Sequence, residues 1–243
     1  MRLHHTKNNM ANNLFETLRK DEQLCAYITA GNNALKELGF TEHSFPHVYR
    51  TAETAGVILE EFGYPPETVE LAKIAGLMHD VGNMINRAYH ALTGAEIARS
   101  ILEKHKVPYA DIGIVCNAIG NHDEETGKPL NEVSAALILA DKSDVRRSRV
   151  QETDMDQILA DIHDRVNYAV ERADVTVAQA EDGKPEDGNK DGKIVRLCLS
   201  IDTNFCPVMD YFEIFLSRML MCRRAAVFLG ADFELVINDL KIM

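Results

Sequence analysis

Leu71-Ala72-Lys73-Ile74-Ala75-Gly76-Leu77-Met78-His79-Asp80-Val81-Gly82 decides how this chain folds. Apolar residues fill the stretch, and Leu71, Ala75 and Met78 recur at helical spacing, so a helix runs from about Glu67 to Asp80. Val81-Gly82 breaks it. A carboxylate at the end of such a helix lies beside buried apolar residues, which is costly unless something compensates its charge. Asp141 poses the same problem after Ala135-Ala136-Leu137-Ile138-Leu139-Ala140, on the face that carries Leu137. His47, His90 and His122 fall around these two carboxylates. One cation can compensate several imidazoles and carboxylates at once. The expectation is a helical protein built around one or two metal ions.

Working outward, helical periodicity dominates to about residue 173. Val48, Ala52, Ala55, Leu59 and Phe62 mark one helix face, ended by Gly63 and Pro65-Pro66. Thr93-Gly94-Ala95-Glu96 has capping-box spacing ahead of Ile97, Ala98, Ile101 and Leu102. After Pro108, the residues Ile112, Val115, Ile119 and His122 share a face. A strongly apolar helix spans about Asn131 to Arg147. Another starts at Thr153 and carries Ile158, Ile162, Val166 and Ala169. Residues 181–193 then read as an exposed turn. Val195, Leu197, Leu199 and Ile201 alternate at strand period, and Val175 with Val177 is placed to pair with them as a hairpin. Val208, Phe212, Phe215, Met219, Cys222, Ala226 and Leu229 repeat at heptad spacing, which suits a core face or a homodimer seam. Phe233, Leu235 and Ile237 close the chain as a strand. The expected organisation is a helical or partly disordered lead over 1–25, a helical domain over 26–173 and a small β-α-β appendage over 174–243.

The bulk numbers bound the function. The 243 residues carry a formal net charge of -12, and 46% are hydrophobic. An acidic surface repels nucleic-acid backbones, so no nucleic-acid partner is expected, while a small polyanionic substrate remains compatible with a bound cation. Cys25, Cys116, Cys198, Cys206 and Cys222 are odd in number and widely spaced, which argues for reduced thiols and a cytoplasmic setting. No apolar run approaches membrane-spanning length, and the first ten residues hold no secretory signal. Walker A and dinucleotide fingerprints are absent, as is a recognisable Ser-His-Asp arrangement.

Taken singly, each candidate has a plainer explanation: a lone inward histidine is most often a hydrogen-bonded core residue. Together, ligand-type residues on five successive helices fit one convergent site better, because ligands from separate helices of a bundle meet at its axis. His4, His5, His43, His105 and His163 lack such a setting and are read as non-ligands.

His47-Val48-Tyr49-Arg50, His79-Asp80-Val81-Gly82 and Ala140-Asp141-Lys142 resemble the signature of the HD-domain metal-dependent phosphohydrolases, over about residues 40–150. His90 and His122 resemble the extra histidines of that superfamily's two-metal branches. The resemblance implies a mainly α fold, an HD-domain helical bundle, ahead of the β-α-β appendage. It implies a first metal on His47, His79, Asp80 and Asp141 and a second on His90 and His122, with Asp80 bridging. Such a donor set suits Fe, Mn, Ni or Co better than Mg. Asp80, Lys142 and Arg50 are the candidate catalytic residues. Arg146 and Arg87 are further phosphate contacts, Arg87 being expected to stay solvated. The implied activity is hydrolysis of a phosphoester or phosphoanhydride in a small nucleotide or phosphorylated metabolite.

Two alternatives stand beside it: a cyclic-dinucleotide phosphodiesterase and a catalytically silent nucleotide or metal sensor. Asn83 where the cyclic-dinucleotide branch has lysine, His122-Asp123 in place of paired histidines, and Gly127-Lys128-Pro129 in place of Gly-Tyr-Pro count against the first.

Overall fold

The computed structural model describes residues 14–179 and 192–243. Helices α1 (Leu14–Leu18) and α2 (Glu22–Glu37) lead in, α2 being started by the Asp21 carboxylate, which accepts from Leu24 N. The bundle follows: α3 (Phe45–Glu61), α4 (Pro66–Met78), a 3-10 turn (Val81–Met84), α5 (His90–Lys104), α6 (Tyr109–Gly120) and α7 (Glu132–Lys142). Two short helices, α8 (Met155–Ala160) and α9 (Ile162–Ala169), lead into a four-stranded sheet. His4 and His5, residues 181–191 of the turn expected over 181–193, and most of the lead lie outside the described residues; Lys193, expected in that turn, opens a strand instead.

The α4 helix sits at the centre because it is apolar almost all round: Ala72 and Ile74 through Met78 are all buried. Gly76 lets α3 cross it closely, since a Cβ there would lie 2.6 Å from Ala52 Cα. The α7 helix is buried from Val133 to Ala140 and opens with a capping box between Asn131 and Ser134.

The sheet runs β1 (Val170–Gln179), β2 (Lys193–Ile201), β3 (Asp232–Ile237) and β4 (Leu240–Lys241) in that spatial order. β1 and β2 are antiparallel, with Val175 opposite Leu197 and Val177 opposite Val195, the expected hairpin pairing. β2 and β3 are parallel and joined by α10 (Val208–Phe228), which makes the β-α-β unit. The heptad positions of α10 face inward: Phe215, Met219, Cys222, Ala226 and Leu229 are buried, while Val208 and Phe212 pack half-buried on the core. The boundaries drawn at 25/26 and 173/174 fall within α2 and β1. No described helix is long and apolar enough to cross a membrane.

Three local expectations are corrected. Thr93 caps nothing: α5 begins at His90, after Tyr89 at φ 61, and the Thr93 hydroxyl donates to the carbonyls of Tyr89 and His90. The α7 helix stops at Lys142, not Arg147, where the Ser143 hydroxyl takes the Ala140 carbonyl and the chain turns inward at Asp144. The helix expected from Thr153 is split at Asp161, whose carboxylate accepts from His163 N and Asp164 N and so starts a new one.

Candidate metal centre

Each proposed ligand stands at or near a helix end, where the chain can aim a side chain inward. His47 lies in the first turn of α3 and His79 directly follows α4 in helical conformation. Asp80, at φ -96 and ψ 1, opens the 3-10 turn, so two adjacent residues present their side chains to one point. His90 is the first residue of α5, His122 lies just past α6, and Asp141 is the penultimate residue of α7. All four histidines and Asp80 are buried, and Asp141 is nearly so.

The six converge. His47 Nε2 and His79 Nε2 are 3.2 Å apart, as are His90 Nε2 and His122 Nε2. Asp80 Oδ2 lies 3.5 Å from His47 Nε2 and 3.2 Å from His79 Nε2, while its Oδ1 lies 3.5 Å from His90 Nε2. Asp141 Oδ1 is 3.4 Å and 3.5 Å from the nitrogens of His47 and His79. Two overlapping groups, His47/His79/Asp141 and His79/Asp80/His122, keep their ligand atoms within 4.8 Å of one another.

Proton placement decides what this arrangement holds. Nδ1 of His79, His90 and His122 faces the carbonyls of Gly76, Arg87 and Ile119, at 2.8, 3.0 and 2.6 Å. Nδ1 of His47 faces Asp144 Oδ2 at 2.7 Å. Those partners only accept, so each Nδ1 carries the proton. Every neutral Nε2 therefore points a lone pair into the centre, where the lone pairs oppose one another and two carboxylates. Asp80 Oδ2 is buried there without a hydrogen-bond partner. Either protons or metal ions must occupy this centre, and the donor set fits a divalent metal.

The electrostatics show the same demand for positive charge. Burial opposes charge on His79, but the carboxylates of Asp80 and Asp141 outweigh it and raise its pKa to about 10. Burial would raise Asp141, yet the Lys142 ammonium and the imidazoles of His47 and His79 hold it well below the usual carboxylate range. Burial likewise works against charge on Lys142, and Asp141 with Glu124 outweighs it, so the ammonium stays charged.

A small cavity of about 20 Å³ opens onto the centre, lined by Thr41, His43, Asp80, Arg87, His90, His122, Asp141, Lys142, Arg149 and Arg218. Its exposed surface is almost wholly polar. Lys142 lines the cavity, 2.8 Å from Asp141 Oδ2. Arg50 does not line this cavity. It stands behind the ligands, paired with Asp144 at 3.1 Å and donating to the Ala173 carbonyl, because α3 turns that face toward β1. Arg146 is similarly occupied by Asp144 and Glu42. Arg87, expected in solvent, instead reaches the cavity, 4.0 Å from Asp80 Oδ1. Asp144, Glu124 and Arg218 escaped the sequence reading, and His43, read there as a non-ligand, lines the cavity. His43 precedes α3 in a polar run, with its ring centroid 5.4 Å from that of His47.

Among relatives, Ribonuclease Y of Mycoplasma mycoides is 28% identical over 172 residues, covering 60% of this chain and 38% of that protein. Ribonuclease Y of Opitutus terrae is 35% identical over 105 residues, 42% of this chain and 18% of that protein. Ribonuclease Y of Wolinella succinogenes is 29% identical over 145 residues, 58% and 25% respectively. The chain thus spans well under half the length of these relatives. No solved structure gives a significant match. The model of the HD domain matches residues 45–168, half of the chain, from the helix that carries His47 to the one that leads into the sheet: the chain belongs to the HD domain family.

Proposed function

We propose that this chain is a metal-dependent phosphohydrolase that cleaves a phosphoester or phosphoanhydride bond of a small nucleotide or phosphorylated metabolite. The observation that carries the proposal is the tautomer pattern: four imidazoles fixed by Nδ1 donation, with their Nε2 atoms converging on two carboxylates. His47, His79, Asp80 and Asp141 would hold one divalent ion and His90 with His122 a second. Asp80 would bridge them, since its two oxygens face the two pairs. Fe, Mn, Ni or Co suits these donors better than Mg. Ions bound there supply an activated water and neutralise charge on the departing oxygen.

The chain's own residues orient the phosphate. Lys142 keeps its charge beside Asp141, and Arg87 stands beside Asp80 at the cavity wall. Among the described residues, no apolar side chain and no aromatic ring other than imidazole lines the cavity, which favours recognition of phosphate over recognition of a base. That supports phosphoryl chemistry on a small anion. Intact His47, His79, Asp80 and Asp141 speak against a silent sensor.

A second reading has support from the relatives, which are named as ribonucleases: the same phosphate-only pocket would accept an RNA phosphodiester. The net charge of -12 speaks against a long nucleic-acid track. The test is hydrolysis by Mn- or Fe-loaded protein of a panel holding dinucleoside polyphosphates, cyclic dinucleotides, a phosphomonoester and single-stranded RNA. His79→Ala and Asp80→Ala should abolish turnover and first-site metal, and His122→Ala should lower metal from two ions to one. Full metal in both His79→Ala and Asp80→Ala would overturn the assignment. RNA cleavage without small-substrate turnover would replace the first reading by the second.

A further inference from the structure

Arg218 belongs to α10, beyond the residues that match the HD domain, yet it lines the cavity with Lys142. Its guanidinium lies over the buried Phe215 ring, 4.5 Å from the centroid, which anchors it against the core. Arg218 Nε is 2.7 Å from Glu124 Oε1, and Lys142 Nζ is 3.4 Å from the same oxygen. One carboxylate oxygen therefore sits between two cations contributed by different parts of the fold. Glu124 comes from the loop between α6 and α7, and it is the least buried in the chain of contacts that runs Asp141, Lys142, Glu124.

We propose that Lys142 and Arg218 form an anion subsite for a second phosphoryl group of the substrate, next to the one at the metal centre, and that Glu124 occupies it in the resting protein. The proposal rests on the phosphohydrolase reading above. Three features support it. Lys142 contacts Asp141, a proposed metal ligand, so an anion on Lys142 lies one group away from the metal centre. Two charged donors converging on one oxygen match the demand of a phosphoryl oxygen. Glu124 supplies the same charge as that oxygen from a half-buried loop position, so a polyanion can displace it and the freed carboxylate can turn toward water. The substrate class that follows carries at least two linked phosphoryl groups, or a phosphate beside the scissile diester. The sheet-bearing appendage thereby acquires a role: it delivers the second cation.

The experiment measures binding of inorganic pyrophosphate and of orthophosphate to Mn-loaded full-length protein by calorimetry. Wild type should prefer pyrophosphate. Arg218→Gln should weaken pyrophosphate at least tenfold while changing orthophosphate less than twofold, and Arg218→Lys should recover part of the loss. Arg223→Ala, on the solvent face of the same helix, should leave both unchanged. Glu124→Gln should tighten pyrophosphate severalfold, and Glu125→Gln, the exposed neighbour, should not. Equal losses in Arg218→Gln and Arg223→Ala would overturn the subsite, as would weaker pyrophosphate binding in Glu124→Gln. If wild type held Mn but bound neither anion, the phosphohydrolase reading itself would fall. Orthophosphate binding without a preference for pyrophosphate would remove the subsite alone.

Discussion

Replacing Asp144 by asparagine tests the metal centre through a residue that touches no proposed ion. Asp144 is buried, and its carboxylate takes three close side chains, His47, Arg146 and Arg50. Oδ2 takes His47 Nδ1 at 2.7 Å, and Oδ1 takes Arg146 Nε at 2.8 Å and Arg50 Nε at 3.1 Å. Arg149 adds charge at 3.8 Å. Asparagine keeps one acceptor and turns the other into a donor, so one side must fail. With its amide toward His47, the imidazole has to accept at Nδ1 and carry its proton on Nε2, where the ion needs a lone pair. With its oxygen toward His47, the amide meets two arginine donors, and buried unsatisfied donors cost about 1–3 kcal/mol. Loss of such an orienting partner weakens metal affinity about 10–100-fold, or about 1.4–2.8 kcal/mol. For a chain of this size the stability loss shifts the unfolding midpoint by roughly 2–10 °C. Chelator competition with Mn, followed by thermal unfolding in chelator, measures both. The His90–His122 pair, held by backbone carbonyls, should keep its ion. A folded Asp144→Asn protein with wild-type metal affinity would refute the orienting role.

Three further substitutions probe the scaffold. Gly76→Ala places a Cβ 2.6 Å from Ala52 Cα and 2.7 Å from its nitrogen, both backbone atoms, so α3 and α4 must separate at a cost of about 1–3 kcal/mol. Because these helices carry His47 and His79, metal affinity should fall with the melting temperature. Gly113→Ala on the exposed face of α6 meets nothing within 4 Å and should stabilise by about 0.5–1 kcal/mol, which thermal unfolding of the pair checks by its sign. Asp21→Ala should cost about 1 kcal/mol through loss of the α2 cap. Burial works to raise the Asp21 carboxyl, but the Leu24 amide and His105 hold it below its ordinary value. A carboxyl lowered in the folded state stabilises above its unfolded pKa and loses that contribution as pH falls through the folded one. The gap between wild type and Asp21→Ala in urea unfolding should therefore narrow below about pH 4, and a gap constant from pH 7 to 3 would exclude the charged cap.

The parts of this site legible in the sequence are those whose cost is local. A carboxylate at the end of an all-apolar helix, as Asp80 or Asp141, announces itself because its neighbours in sequence are also its neighbours in space. His122 does so by continuing the Ile112-Val115-Ile119 stripe. The strand alternation of Val195 to Ile201 gave the hairpin for the same reason, with the pleat sorting alternate residues to one buried face. Boundaries were harder. Capping-box spacing at Thr93 is a local pattern too, but the turn at Tyr89 starts the helix earlier and puts His90 in its first turn, where its Nδ1 can reach the Arg87 carbonyl.

What stayed hidden depends on partners distant in sequence. Asp144 reads as a polar residue on a helix expected to run on to Arg147, and only the inward turn after Lys142 brings it to His47. Arg50 sits one turn after His47, yet the packing of α3 on β1 spends it on Asp144 and on the Ala173 carbonyl. Arg218 lies between Phe215 and Met219 of the heptad helix but off its apolar stripe, so no pattern in the sequence marks it. Its meaning comes from Glu124 and Lys142, which no period connects to it. Periodicity reports which face of an element is buried; it says nothing about which charge meets which across the core. A metal centre is partly exempt because its ligands each leave a local anomaly, whereas the groups that orient those ligands and the groups that grip a substrate are satisfied pairs, and satisfied pairs leave none.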